Sequence, residues 1–290
     1  MRKIEKNVGV VVVLYRPSKE QIKHAANLNK ICSLVIIVDN SPMMLIDEES
    51  WSRGCQYCWM GGNLGIAAAL NQGCYIAKNA GSEYALLLDQ DTTMTQEMLF
   101  RHVEEARRLF ADKNIAVVAT STEFQASELR HSKFYAESVI SSGSLIRLTS
   151  WLEVGKFKDE LFIDQVDHEF CYRLRSKGHL IVVNADISMT HTVGNPLQRK
   201  VLGQNLSTTN HEWYRRYYQV RNSLYLRKWY PSESKPLRRY MIDLLGMAMG
   251  IILIEKDRVP KIYAMVVGVV DFLRNRLGPW GKHLKGGDKI

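Results

Sequence analysis

The sequence predicts an α/β protein: a mostly parallel sheet flanked by helices, with a helical C-terminal region added. Three observations predict it. Apolar runs at Val8–Leu14, Leu34–Val38, Ala85–Leu88 and Ile115–Thr120 lack polar alternation, as strands buried on both faces do. Helical patterns fall between them, giving the β-α alternation that right-handed crossovers connect. The charge then changes: residues 1–210 hold 23 Lys and Arg against 23 Asp and Glu, whereas residues 211–290 hold 16 against 7. The whole net charge of +9 lies in those last 80 residues, so the chain divides into a neutral body, 1–210, and a basic region, 211–290.

Val8–Leu14 is the first strand. Tyr15-Arg16-Pro17 breaks it, and Ser18 caps a helix running through Asn29. The second strand ends at Asp39-Asn40-Ser41-Pro42. Asp39 suits a turn, because Asp and Asn bond their own backbone, and equally an acceptor for a nucleotide base. Gln56–Met60 predicts a short third strand, after which Gly61-Gly62-Asn63-Leu64-Gly65 opens an alanine-rich helix. A helix N-terminus after a glycine turn can hold phosphate. Small residues also let a helix lie close on a sheet, and both readings stand. Thr95 caps a helix to Phe110 with Met98, Leu99, Val103, Ala106 and Phe110 on one face. Phe124–Lys133 reads as a loop, Val139–Leu148 as a strand, and His179–Val183 and Ile187–Thr190 as two further strands.

The run Ala85–Leu88 leads into Asp89-Gln90-Asp91-Thr92-Thr93. Both carboxylates thus fall at the carboxyl end of a central strand, where open α/β sheets bind ligands. Two close carboxylates repel. A hard cation, Mg²⁺ or Mn²⁺, offsets that cost and prefers oxygen ligands. A solvated polar loop is the plainer reading. A second acidic cluster, Asp164-Gln-Val-Asp167-His-Glu169, precedes a helix ending at Gly178. Asp164 or Asp167 could cap that helix. Acids near a strand-end carboxylate pair are also candidates for a general base. His191 ends a strand, as the Asp pair does, which fits a satisfied polar residue or a third metal ligand.

From His211 to Tyr230, Arg alternates with aromatics, a composition that can hold phosphate and stack on rings. Met241–Ile254 has 14 residues, short of a bilayer span. Val259–Leu277 mixes apolar and basic residues, as helices lying on anionic membranes do; packing as a helical subdomain is the other reading. The five cysteines, Cys32, Cys55, Cys58, Cys74 and Cys171, read as structural thiols in a reducing setting, and the N-terminus shows no secretory pattern. The neutral body argues against a nucleic-acid partner.

In order and spacing these stretches resemble a family 2 glycosyltransferase of the GT-A fold, over about residues 8–230. The carriers are Val-Asp39-Asn-Ser, Asn63-Leu-Gly65 through Gly73, Leu-Leu-Leu-Asp89-Gln90-Asp91-Thr, Asp164 through Glu169 to Arg175, Thr-His191-Thr and Arg216-Tyr-Tyr-Gln-Val-Arg221-Asn222. Within the family the chain is similar to bacterial rhamnosyltransferases of O-antigen and other surface polysaccharides. The resemblance implies a catalytic domain over 1–210 and an amphipathic helical region over 211–290 that meets an anionic membrane surface. It implies a deoxythymidine-diphosphate (dTDP) sugar donor, dTDP-L-rhamnose, and a lipid-linked glycan acceptor. The protein would work in the cytoplasm, peripheral on the inner face of the bacterial membrane. Tyr15, Asp39, Asn63, Gly65, Asp89 and Gln90 would bind the nucleotide sugar. Asp91, with Asp89 and His191, would hold Mg²⁺ or Mn²⁺. Asp167 would be the base of an inverting transfer, with Asp164 its alternative because Val166 stands where the family has Glu. Glu169, Arg216 and Arg221 would touch acceptor or diphosphate. Self-association stays open.

Two other readings compete. Another nucleotide sugar, a uridine- or guanosine-diphosphate hexose, fits the same motifs. Asp89-Gln-Asp91-Thr92-Thr93 also matches the Asp-x-Asp-x-Thr pattern of haloacid-dehalogenase-like phosphatases, with Asp89 as nucleophile, although that motif normally follows a first strand.

Overall fold

The computed structural model describes residues 3–44, 54–122, 133–189, 197–201, 204–234 and 237–281. Its contacts sort into two compact units, one of Met1–Asp159 with Asp167–His191 and one of Glu160–Val166 with Thr192–Ile290. The second unit thus takes in a short segment ahead of the acidic helix and begins before the charge boundary.

The first unit is built on an eight-stranded sheet in the order β3-β2-β1-β4-β7-β5-β8-β6. β1 (Val8–Leu14), β2 (Val35–Asp39), β3 (Cys55–Trp59) and β4 (Tyr84–Asp89) run parallel. All residues of β1 and β2 are buried, as is Ala85–Leu88 in β4, so these strands are covered on both faces. β5 (Ile115–Thr122) and β8 (Leu180–Met189) pair parallel, and the short β7 (Ser144–Arg147) is antiparallel between β4 and β5. β6 (Lys133–Tyr135) closes the far edge against β8. The chain moves from β1 out to β3 and then returns to place β4 on the other side of β1. The switch point therefore lies between β1 and β4.

The helices form where caps and apolar faces predict. α1 (Lys19–Asn27) opens with a capping box: Ser18 Oγ accepts the Gln21 N–H at 3.3 Å and Gln21 Oε1 accepts the Ser18 N–H at 2.8 Å. Thr95 caps α3 (Gln96–Leu109), whose Leu99, Val103 and Ala106 join Phe110 in the core with Val8, Val10 and Val12 of β1. Between them α2 (Ile66–Asn79) buries Ala67, Ala69, Leu70, Gly73, Cys74 and Ala77. A Cβ on Gly73 would lie 2.2 Å from Val11 Cγ1, so the small residues of this helix serve close packing on β1. α5 (Val166–Ser176) ends in a Schellman motif: His179 N–H donates to Leu174 O at 3.1 Å, Gly178 N–H donates to Arg175 O at 2.9 Å, and Gly178 has φ +86°.

Several elements differ from expectation. The two strands expected from His179 and from Ile187 are one, β8, which runs from Leu180 to Met189 through polar Asn184 and Asp186 with a register shift opposite Thr120 and Ser121. Val139–Leu148 is strand only from Ser144. Ser144 N–H closes a turn on Ser141 O at 3.0 Å, and Gly143 sits at φ +73°. The end of that segment is a short helix, α4 (Leu148–Glu153). The stretch 124–132 lies outside the described residues.

The cysteines stay as thiols: Cys32, Cys74 and Cys171 are buried, and burial pushes Cys32 and Cys171 up to about 12. Cys55 and Cys58, three apart on β3, fall on opposite faces and cannot chelate together.

The second unit holds a polar hairpin, β9 (Leu197–Val201) and β10 (Gln204–Thr208), and three helices, α6 (Trp213–Trp229), α7 (Leu237–Ile254) and α8 (Arg258–Leu273). α8 lies close on α6, for a Cβ on Gly268 would be 2.8 Å from Tyr217 O. The Arg–aromatic interleaving of α6 turns inward. Arg216 is buried with Glu255 Oε1 at 2.8 Å, and Lys261 Nζ reaches Glu255 Oε2 at 2.6 Å. Arg221 lies over the rings of Tyr217 and Tyr218, 5.0 Å from each centroid. It donates to Gly278 O, Glu160 O and Leu161 O, and Asn222 Nδ2 donates to Leu161 O, Ile163 O and Asp164 O. These bonds hold the segment 160–166, in which Phe162, Asp164 and Gln165 all have positive φ.

Two buried histidines make stability depend on pH. Burial lowers His102 to about 4, and burial followed by Arg215 lowers His211 to about 4. The fold keeps both neutral, while the unfolded chain takes up protons near the ordinary value of 6.5. Between about 6.5 and about 4 the unfolded state binds more protons, so stability is lost as pH falls. The expected loss is about 1.4 kcal/mol per pH unit for each histidine. Urea midpoints should be clearly lower at about pH 5 than at about pH 7.5; equal midpoints contradict this.

Candidate active site

Three of the predicted acids, Asp39, Asp89 and Asp91, lie at the carboxyl edge of the sheet. Register places Asp39 beside Leu14 and Asp89 beside Val13, so both flank the end of β1. Asp39 is fully buried: Oδ1 accepts the Ser41 N–H at 3.0 Å and Oδ2 accepts the Tyr57 hydroxyl at 2.7 Å. Its neighbour Asn40 organises the glycine turn, accepting the Leu64 N–H at 2.9 Å and donating to Asn63 Oδ1 at 3.2 Å. Asn63 Oδ1 also accepts the Gly65 N–H at 3.1 Å, and Gly65, at φ +90°, starts α2. Gln90 Oε1 accepts the Tyr15 N–H at 2.8 Å, which ties the ends of β1 and β4 together.

Asp89 and Asp91 flank a tight turn closed by Thr92 N–H on Asp89 O at 3.1 Å. Asp89 is half-buried and Asp91 exposed. The 138–144 loop holds this turn from the other side. Ser142 Oγ accepts the Asp89 N–H at 3.0 Å and lies 2.5 Å from Thr92 Oγ1, while Gly143 N–H donates to Leu87 O at 2.8 Å. The same loop reaches the acidic helix. Ser141 N–H donates to Asp167 Oδ2 at 3.3 Å, and His168 Nδ1 lies 2.8 Å from Ser138 Oγ. One serine loop thus links the strand-end pair to Asp167, which lines a small recess with Val139, Phe157 and Phe170. Ser138, Ser141, Ser142 and Asn40 carry this arrangement. Only the Ser-Ser-Gly-Ser run hinted at it in the sequence.

Other predicted contacts are placed elsewhere. Glu169 is fully buried and pairs with Arg173, which also donates to Val154 O and Lys156 O, so Glu169 fastens α5 to a turn. Arg216 and Arg221 are buried scaffold cations, as described above. Both side chains are buried and have partners inside the helical unit. Asp164 belongs to the second unit, where Arg215 grips both its oxygens at 2.6 and 3.1 Å. His191 lies outside the described residues. A larger cavity of about 240 Å³, among Arg101, Glu105, Arg108, Lys133, Asn184 and Asp186, contains none of the predicted site residues.

The donor set fits a hard divalent cation. Among the described residues no group of three or more His, Cys, Asp or Glu is placed to hold a metal. Mg²⁺ or Mn²⁺ does not need one: such ions keep several waters and bind through one or two carboxylates plus substrate phosphates. Asp89 and Asp91, at the end of β4, are the two carboxylates that could serve in this way.

Mixed sheet, switch-point acids and a glycine turn at a helix start define a nucleotide-sugar transferase of the GT-A fold. The chain belongs to glycosyl transferase family 2, whose model matches residues 19–173. It is 27% identical to the dTDP-rhamnosyl transferase RfbF of Shigella flexneri, over 94% of this chain and 97% of that protein. Among solved structures it is similar in fold to GalNAc-T7 with UDP, GalNAc and Mn²⁺, with a TM-score of 0.52 and 12% identity. That alignment covers 74% of this chain and 47% of the other, so the chain spans about half that protein's length.

Proposed function

We propose that the chain is an inverting rhamnosyltransferase that moves L-rhamnose from dTDP-L-rhamnose to a lipid-linked glycan in surface-polysaccharide assembly, O-antigen among them. The observation that carries the inverting chemistry is the serine loop that joins Asp89 to Asp167 within one unit. The likeness to RfbF supports the rhamnose donor.

The nucleotide side of the donor would lie along the Asp39 turn and the Asn63–Gly65 loop, with Tyr15 and Gln90 between them. Mg²⁺ or Mn²⁺ held by Asp91 and Asp89 would neutralise charge on the departing diphosphate. Asp167 removes the proton from the acceptor hydroxyl as that oxygen attacks the anomeric carbon, on the face opposite the leaving group. Configuration then inverts. The apolar recess of Val139, Phe157 and Phe170 limits water around the base. Asp164, gripped by Arg215, suits a structural role better. The net +9 of residues 211–290 suits a membrane-borne, anionic acceptor.

Thermal stabilisation by nucleotides, with and without Mn²⁺, tests this reading. A metal-dependent rise with dTDP and dTDP-L-rhamnose supports it. A rise with uridine or guanosine diphosphates alone replaces the donor. Asp91→Ala should lose the metal-dependent part of the shift while its ligand-free melting temperature stays near wild type, because Asp91 is exposed. A full metal-dependent shift in that variant removes Asp91 from the cation site.

A further inference from the structure

The second unit presents an apolar surface that its own packing leaves uncovered. On α7, Ile242, Leu245, Met249 and Ile252 recur at helical spacing and are 45–62% exposed. On α8, Val259, Tyr263, Val266 and Leu273 do the same at 55–80%. The opposite faces are occupied. Leu244, Met247, Ala248 and Ile251 of α7 share one buried cluster with Ile262 and Met265 of α8 and with Val220 and Leu224 of α6. Both exposed stripes therefore point away from α6. Exposed large side chains in two such rows exceed the scattered apolar residues of an ordinary surface, and mark an interaction face.

Charge identifies the occupant. Along the two helices and their link, the exposed cations are Arg238, Arg239, Lys256, Arg258 and Arg274. The exposed acids among the described residues there are Asp243 and Asp257, and Asp243 already faces Arg239 at 3.6 Å. In a two-fold dimer the same rim would meet itself, setting cation against cation. An anionic lipid surface complements the rim and takes up the stripes. No described helix is long and apolar enough to cross a membrane, so the pair would lie in the interface instead.

We infer that the α7–α8 face is a docking surface that seats the protein on an anionic bilayer, with both stripes sunk among the acyl chains and the arginines at the headgroups. The inference rests on the membrane reading of the basic region given above, and is independent of the donor sugar.

The test is sedimentation of the full chain with vesicles of phosphatidylcholine, alone or mixed with phosphatidylglycerol. Wild type should bind the mixed vesicles, more weakly as salt rises, and leave the neutral ones largely free. Leu245→Glu combined with Val266→Glu should weaken binding by about tenfold or more, since it removes an inserted side chain from each stripe and adds repelled charge. Both positions are exposed, so melting temperature and nucleotide stabilisation should match wild type. Vesicle binding by a protein that answers to no nucleotide supports the surface and counts against the transferase reading alone. Wild type that stays in solution, or a variant that sediments like wild type, overturns the inference. So does a wild-type dimer, seen by light scattering, that the double variant loses while vesicles are ignored.

Discussion

Asp167→Asn should reduce sugar transfer by about 10²–10⁴-fold, the range a positioned general base supplies. Its stabilisation by dTDP should be retained. The amide oxygen can still accept the Ser141 N–H that joins the loop to this helix, and the bond given up is the local one from the His168 N–H to the other oxygen. What is lost is the ability to take the acceptor's proton. Asp164→Asn makes the contrast. It weakens a bidentate pair with Arg215 in a segment with positive φ at Asp164, so it should lower the melting temperature more than the rate. Steady-state rates and melting curves of both variants separate the roles. Near-wild-type turnover in Asp167→Asn would take that residue out of the chemistry.

Glu255→Ala should be the most destabilising single change in the second unit. Glu255 is fully buried and is the counter-ion of two buried cations, Arg216 and Lys261. Lys261 also bonds Asn210 Oδ1 at 2.8 Å and Arg216 bonds Gln219 Oε1 at 3.1 Å, but neither neutral partner offsets a positive charge. Removing one partner of a buried ionic group costs about 3–5 kcal/mol. For a chain of this size that lowers the melting temperature by roughly 10 °C. Replacing all three with apolar residues of similar volume should cost much less, because the expense lies in the stranded charge. A Glu255→Ala protein within about 1 kcal/mol of wild type in urea contradicts the account.

Much of the fold was legible because its signals are local. The Val8–Leu14 run, the caps at Ser18 and Thr95, and the acids ending the β4 strand are each written in adjacent residues, and the structure places them where the pattern says. In sequence, Asn184 and Asp186 look like a turn that divides β8 in two. Its pairing with β5 carries it through with a register shift. The β9–β10 hairpin has no apolar alternation to announce it.

The candidate site was legible at its strand ends and not at its supports. Arg216 and Arg221 have the composition of phosphate ligands, and only their burial against Glu255, Tyr217 and Tyr218 shows that they build the helical unit. The serine loop that links Asp89 and Asp167 depends on contacts more than 25 residues apart in sequence, which no local pattern carries.

The most direct measurement is release of the nucleoside diphosphate from a panel of nucleotide sugars, with Mn²⁺ and a lipid extract from a polysaccharide-producing bacterium as acceptor. The account predicts release of dTDP from dTDP-L-rhamnose, dependent on the lipid extract and lost in Asp167→Asn. Turnover of a uridine- or guanosine-diphosphate sugar instead, or undiminished release by Asp167→Asn, would contradict it.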